Sequence, residues 1–472
     1  MKILFVSPPP YLPNRLHRMR SFDLIRILAR KHEVHLLSVT INKEESKEFK
    51  EIKKTCKSIK VIYINPLVAI LNCFRFPFLP YEVAYCYSEK VRKTIKKIID
   101  KENIDVVYLK RLRSAIYLDR SLSDQLNSPR VLTDFTSEES RSLPRHLRGG
   151  YTTKVVIDTT DAMSMFYFRM YQAHYFPKNL FYLWQAFLYK RFESKIMKKI
   201  RNWVVCSEID KKYLQELGEN VNINVVPNTV DTNYFLSWRS GTIPPRRSPF
   251  GHLRGEERHL RGVASFSPSR WPASPKLQRG EPKDSSKVER RGGQGNSLLF
   301  RGLMDKPVNI DACLFFVKKI LPLVKQHIKD VKLFIVGPKP HRLILKLHNK
   351  NDIFVTGFIK DIREYIGNTT ISVCPLRIGS GTRHKILQAW AMGKPIVSTT
   401  IGAEGLLYEK DKNIAIADTT EEFAKEIISL LKNKRRYDTL AKNGRKTVVK
   451  HYSFKVIGQK LETLIQNVKG IK

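Results

Sequence analysis

Short apolar runs recur along the chain and alternate with segments whose apolar residues fall three and four positions apart. In the first half, Ile3–Ser7, Glu33–Val39, Val61–Ile64, Ile104–Tyr108, Val155–Asp158 and Trp203–Cys206 read as strands. Between the first two, Met19–Lys31 sets Phe22, Ile25, Leu28 and Ala29 on one helical face. The rhythm resumes in the second half, with strands expected at Asn224–Val226, Leu298–Phe300, Lys332–Val336, Ile353–Thr356, Ile371–Cys374, Pro395–Ser398 and Ile414–Ile416. Strands that alternate with helices predict parallel sheets covered on both faces. The expected fold class is therefore α/β, with two facing Rossmann-like doubly wound domains. Ligands of such domains bind in the cleft at the carboxyl ends of the strands. The expected division is 1–215, 216–450, and a final helix at 451–472 that crosses back to the first domain.

Two stretches break the rhythm, about 127–153 and about 237–297. Both turn rich in Arg, Ser, Pro and Gly, and the second carries 13 Lys/Arg against 5 Asp/Glu. Neither has the apolar content to build a core, so both are expected to be disordered insertions. They share a repeat: 141–149 and 247–255 agree at six of nine positions, and 259–262 repeats the tail. One inserted element acquired twice is one explanation; an Arg-rich nucleic-acid tether is the rival.

Composition fits a globular protein of 472 residues, 42% hydrophobic and 10% aromatic, long enough for two domains. The net charge of +41 suits an anionic membrane surface, a phosphate-bearing substrate or nucleic acid. Because the excess is spread along the chain, it selects none of these. Six cysteines stand apart without a CxxC pair, which argues against a zinc site and a disulfide framework. The apolar run at Met1–Ser7 is short for a signal peptide, and no 18-residue apolar stretch exists. A cytoplasmic protein is expected, touching at most the inner face of the plasma membrane.

The most informative segment runs from Ile371 to Leu406. A strand leads into Gly379-Ser380-Gly381-Thr382, then Arg383, His384 and Lys385 open a helix that carries Gln388, and Gly393-Lys394-Pro395 precedes another strand. Glycines let backbone N–H groups approach an anion, and the helix adds its positive end. Arg383 and Lys385 bring two charges to the same point, and Gln388 follows on one face within reach of a ribose. In outline this is a cradle for a nucleoside diphosphate. A glycine turn with two solvated cations is the plainer reading. The Gly-Lys-Ser/Thr of a Walker loop is absent, so ATP hydrolysis is not indicated.

This segment resembles the donor-binding signature of glycosyltransferase family 4, the glycosyl transferases of group 1. Val226-Pro-Asn228-Thr-Val-Asp231, Phe300–Asp305, Asn309–Ala312, Asp330–Pro338 and Val355–Asp361 resemble further motifs of that family, in order. The resemblance runs over about 298–418 and more loosely over 1–40 and 155–235. It implies a GT-B fold and a nucleotide-diphosphate sugar as co-substrate, with no resident cofactor or metal. Transfer to a saccharide or lipid-linked acceptor with retention would follow, in polysaccharide or glycolipid assembly. Arg383 and Lys385 would neutralise the leaving diphosphate, with Asp161 the third catalytic candidate. Gly302, Gly337, Gly357, Gly379, Ser380, Gly381, Thr382, Gln388 and Glu404 would bind the donor. Asn14, Lys110 and Asp158 would lie on the acceptor side.

The chain departs from the pattern in several places. Gln388 stands where the family has Glu, and Ser380 where much of it has another. Leu303 and Pro307 lie near the usual Arg and Lys, with Lys306 as a substitute. Pro8 to Arg15 replaces the glycine loop after the first strand, and Lys110-Arg111 stands near the usual His. Asp158 and Asp161 suit acceptor hydroxyls or helix N-caps equally. The aromatic stretch Phe166–Tyr189, with Arg169, Lys178 and Lys190, and the apolar Pro66–Tyr81 suit core or interdomain packing, or an interfacial surface. Rival functions are a nucleotide-sugar epimerase, a nucleic-acid-binding protein and an inactive transferase relative. No nucleic-acid-binding motif is present, so no such partner is expected.

Overall fold

The computed structural model describes residues 1–8, 19–41, 50–118, 154–173, 176–218, 221–236, 295–349, 351–359, 361–379 and 381–470. Of the stretches expected as insertions, about 127–153 lies wholly outside the described residues, and about 237–297 does so up to its last three positions. Ser297 is a correction, since it is buried and opens a strand.

Two sheets, parallel throughout, form the frame. The first has seven strands: β1 Lys2–Ser7, β2 Glu33–Thr40, β3 Ser58–Tyr63, β4 Val106–Lys110, β5 Lys154–Thr160, β6 Asn202–Val205 and β7 Asn222–Val225, in the order β3-β2-β1-β4-β5-β6-β7. The second has six: β8 Ser297–Arg301, β9 Lys332–Val336, β10 Ile353–Val355, β11 Ile371–Cys374, β12 Ile396–Ser398 and β13 Ala415–Ile416, in the order β10-β9-β8-β11-β12-β13. In each sheet the order reverses beside its first strand, between β1 and β4 and between β8 and β11. Helices leave opposite faces at such a reversal, so a crevice opens at the carboxyl ends of those strands.

One strand sits elsewhere than its sequence position suggested. The run expected at Asn224–Val226 in the second half is β7, which pairs with β6 at the edge of the first sheet, Trp203 against Ile223. The short helix Glu208–Gln215 returns the chain directly beside β6, and a four-residue strand carries no mark of which sheet it joins.

Alternation along the strands divides the first domain's core. Leu4 and Val6 face one apolar layer with Val107, Leu109, Ile157 and Trp203. Ile3 and Phe5 face the other, with Val106, Tyr108 and Val156. That second layer is completed by both ends of the chain. Helix Met19–Leu28 supplies Phe22 and Ile25, and the last helix, Phe454–Lys469, supplies Ile457, Leu461 and Ile465. His32 Nε2, just past the end of the first of these helices, meets Glu462 Oε2 in the middle of the last one at 2.9 Å. The second domain has one continuous core around Phe300, Phe316, Trp390 and Phe423. No described helix is long and apolar enough to cross a membrane.

Candidate functional site

At the reversal of the second sheet, β11 runs into Gly379 and Gly381, whose φ angles of +145° and +73° are costly for any residue with a side chain. Their missing side chains also make room. A Cβ on Gly379 would lie 2.2 Å from Arg383 Nη2, and one on Gly381 would lie 1.8 Å from Asp161 Oδ1 of the first domain. Arg383 occupies the N-cap of helix His384–Ala391 with extended backbone, and its side chain does not cap the first turn. A bare helix start behind a glycine loop is an anion seat. Ser380 lies outside the described residues.

Lys385 reaches back to Asn309 Oδ1 at 3.0 Å and lies 5.0 Å from the centroid of the Phe300 ring. Burial, with Arg383 and Arg301 nearby, pushes its pKa down to about 8. Arg301, the last residue of β8, donates Nη2 to the main-chain oxygen of His384 at 3.2 Å. From the strand's end it brings a guanidinium to the start of helix His384–Ala391. Burial pushes His384 down to about 3, helped by Arg20, Arg301 and Lys110, so the ring is neutral. Neither of its buried ring nitrogens has a hydrogen-bond partner among the described residues.

The remaining donor-side candidates divide. Gly302 and Gly337 serve chain packing, since a Cβ on Gly337 would lie 1.7 Å from the Gly302 oxygen and one on Gly302 would strike Asn309. Gly357 follows β10 at φ +70° with nothing near its missing side chain. Gln388 is completely buried in the helix's inner face. Glu404, after β12, is held from the other domain. Arg169 donates to its two carboxylate oxygens at 2.6 and 2.8 Å and to the Gly379 carbonyl at 2.8 Å.

The first domain contributes a buried charge cluster where its own sheet reverses. Asp158, at the end of β5, accepts from Arg20 Nε and Nη2 at 3.2 and 3.1 Å and from the Tyr108 hydroxyl at 2.9 Å. Lys110 Nζ lies 2.9 Å from its other oxygen and donates to Thr160 Oγ1 at 2.6 Å. Burial opposes the charge on Asp158, but Arg20 and Lys110 outweigh it and hold the carboxyl well below its usual range. Lys110 is pushed down to about 7, because burial and the repulsion of Arg20 and Arg111 exceed the pull of Asp158. Arg111 and Thr160 hold left-handed backbone, φ +74° and +70°, at this same edge. Such strain in non-glycine residues gathers where a site fixes the chain.

A polar relay joins this cluster to the glycine loop. Arg20 Nη1 donates to Asn228 Oδ1 at 3.2 Å, and Asn228 Nδ2 donates to the Thr382 carbonyl at 2.8 Å. Beside it, Arg111 stands 3.6 Å from Asp161, and the Cys206 thiol donates to Asp161 at 3.5 Å while accepting from the Thr382 amide at 3.4 Å. Burial and Asp161 push Asp210 up to about 6. Asp161, Cys206 and Asp210 place ligand-type atoms within 4.8 Å of one another. Burial, with Asp161 and Asp210 nearby, pushes the thiol's pKa up.

The N-cap alternative for the two aspartates gives way. The first amides of helix Met163–Ala173 go to Glu193, at 2.8 Å from Met163 and 3.4 Å from Ser164, and the Ala162 amide goes to Asp210. Asp158 is wholly engaged inside the protein, whereas Asp161 faces the loop. Asn14 lies outside the described residues. Sequence reasoning missed Arg20, Tyr108, Arg301 and His384, and left Arg169 within a stretch open between core or interdomain packing and an interfacial surface; the structure places it in the interdomain contact. Arg301 alone had a signal, the glycine that follows it.

Residues 20–234 match the family described as Glycosyltransferase Family 4, and residues 295–433 match Glycosyl transferases group 1. An "uncharacterized 44.6 kDa protein in cps region" of Klebsiella pneumoniae is 28% identical over 170 residues, 34% of this chain and 44% of that protein. The match thus spans less than half the length of that curated relative. Among solved structures, Alr3699/HepE of Anabaena in complex with UDP superposes with TM-score 0.57 at 15% identity, covering 99% of this chain and 100% of that one. Sucrose-phosphate synthase of Thermosynechococcus elongatus gives 0.61 at 13%, covering 100% of both. A glycosyltransferase of Rickettsia africae gives 0.56 at 16%, covering 99% and 98%. These likenesses establish the two-domain GT-B fold.

Proposed function

Since the chain belongs to the glycosyltransferases of family 4 and group 1, we propose that it moves a sugar from a nucleotide-diphosphate donor onto a saccharide or lipid-linked acceptor. The observation that carries this reading is the Gly379–Lys385 turn, an open helix start with Arg383, Lys385 and Arg301 around it. As the donor's glycosidic bond breaks, charge builds on the leaving diphosphate, and fixed cations there stabilise the transition state more than the ground state. Three cations at that end make a metal unnecessary for the role, so transfer is expected to persist in EDTA. The family's usual course is retention, and the nearness of Asp161 to the loop from the first domain supports a role for it in meeting an acceptor hydroxyl or the emerging cation.

The Anabaena relative was solved with UDP and with UDP-glucose, which supports a uridine donor for this chain. The Klebsiella relative lies in a cps region, which supports a place in polysaccharide assembly. A thermal-shift series with UDP-, GDP- and ADP-sugars tests the reading. Free ligand at 100 times its Kd stabilises by about 2.7 kcal/mol, a rise of several degrees. No stabilisation by any of the three at millimolar concentration would remove the donor reading.

A further inference from the structure

Helix Pro66–Arg75 presents Leu67, Leu71 and Phe74 to solvent, 69%, 64% and 78% exposed, spaced i, i+4, i+7. Helix Lys178–Lys199 repeats the arrangement with Leu180, Trp184 and Phe187, at 53%, 46% and 57%. An ordinary surface helix buries its apolar stripe and shows a polar one. Here the inward stripe is already filled, by Ala69 and Asn72 in the first helix and by Ala186, Leu188, Tyr189 and Phe192 in the second. The outward stripes are a second apolar face on each.

The turn that follows the first helix packs against the second, which their sequence separation hides. Tyr81, just after the first helix, donates its amide to Gln185 at 3.0 Å, and its ring lies 5.8 Å from that of Phe181. Two parallel observations say what covers them. Arg75, Lys178, Lys190 and Arg191 are exposed around the faces, and the only carboxylate on either helix, Glu193, is fully buried. A second copy of the chain would bring like charges together, whereas an anionic lipid surface answers both the apolar stripes and the cations.

We propose that these two helices form one surface that settles into the headgroup region of an anionic bilayer. Helix Met163–Ala173 links that surface to the cleft: Phe168 is exposed on it while the adjacent Arg169 holds Gly379 and Glu404. Its 11 residues span about 16 Å, so a headgroup-linked acceptor at the membrane reaches the site within one short helix. This last clause rests on the transferase reading; the docking does not.

The test is co-sedimentation of the full chain with vesicles of phosphatidylglycerol and phosphatidylethanolamine, against pure phosphatidylcholine. Wild type is expected to bind the anionic vesicles at low salt and to weaken as salt rises. The triple variant Leu71→Glu, Phe74→Glu, Trp184→Glu is expected to bind at least tenfold less. Lys434→Glu with Arg435→Glu, a remote exposed pair, is expected to stay within twofold of wild type. Equal binding by the triple variant would mean that general basicity suffices and would overturn the proposal. So would absence of wild-type binding at low salt, or a concentration-dependent dimer that the triple variant abolishes. Nucleotide-sugar stabilisation of the triple variant, read in parallel by melting, reports on the transferase reading separately.

Discussion

Arg169 grips Glu404 with both arms of its guanidinium, at 2.6 and 2.8 Å, and donates to the Gly379 carbonyl at 2.8 Å, across the cleft from one domain to the other. A bidentate pair fixes distance and orientation together. It therefore sets how closely the first domain approaches the glycine loop. Arg169→Ala is expected to leave the melting temperature within a few degrees and to weaken donor binding about tenfold or more. Isothermal titration with the donor found by thermal shift checks this, and an unchanged Kd would make the clamp irrelevant to the site.

Arg383→Ala removes a charge from the helix start proposed to seat the donor diphosphate. Loss of one such donor to a developing anion costs about 10²–10³ in rate. A drop of that size in turnover is expected with circular dichroism unchanged. Lys385→Ala is expected to act in the same direction, because its ammonium lies on the same helix turn beside Asn309.

Gly381→Ala tests the close approach of the domains. The new methyl would fall within 1.8 Å of Asp161 Oδ1 and would require φ of +73° from a residue that resists it. The loop must withdraw from Asp161 and Cys206. Loss of activity with both domains still folded is expected, measured by turnover beside limited proteolysis.

Asp158→Ala leaves Arg20 and Lys110 buried without their counter-charge. Breaking one side of a buried ion pair costs about 3–5 kcal/mol. Denaturant unfolding of the first domain should reveal a loss of that order. A loss below about 1 kcal/mol would mean that water or a nearby group replaces the carboxylate.

Glu193 supplies a pH signature. Burial pushes its pKa up to about 7, although the Met163 and Ser164 amides favour its charge. Its ordinary value is 4.5. Between the two, the folded state holds a proton that the unfolded chain has released, so this group's contribution to stability falls as pH rises through that window. Glu193→Gln mimics the protonated form. The variant should match wild type near pH 4.5 and gain on it towards pH 8, by up to about 3 kcal/mol. Unfolding curves of both proteins across that range measure the difference, and parallel curves would contradict it.

How much of this was written in the order of residues depends on the range of the force involved. Alternation and apolar runs are local, and every strand expected from them exists within a few residues of its expected bounds. The turn at Gly379–Lys385 is also local, since glycine permissiveness and a helix start need only neighbours in sequence. The family resemblance over 298–418 rests on this same local information.

Membership of β7 in the first sheet was not legible, because a four-residue strand pairs according to what the folded chain places beside it. Lys110 and Asp158 stand out in the sequence only singly, Arg20 and Tyr108 not at all, and 138 positions separate Arg20 from Asp158. Only the reversal of strand order at β1 and β4 brings them together, and only burial there makes their charges interact strongly. Arg169 looked like one cation in an aromatic stretch until the domains met, and Arg301 like a strand end. The sequence by itself determined two parallel α/β sheets, the glycine turn before helix His384–Ala391 and the family. The tertiary structure decided which distant charges share one low-dielectric crevice, because Coulomb energy depends on separation and burial in space and not on position along the chain.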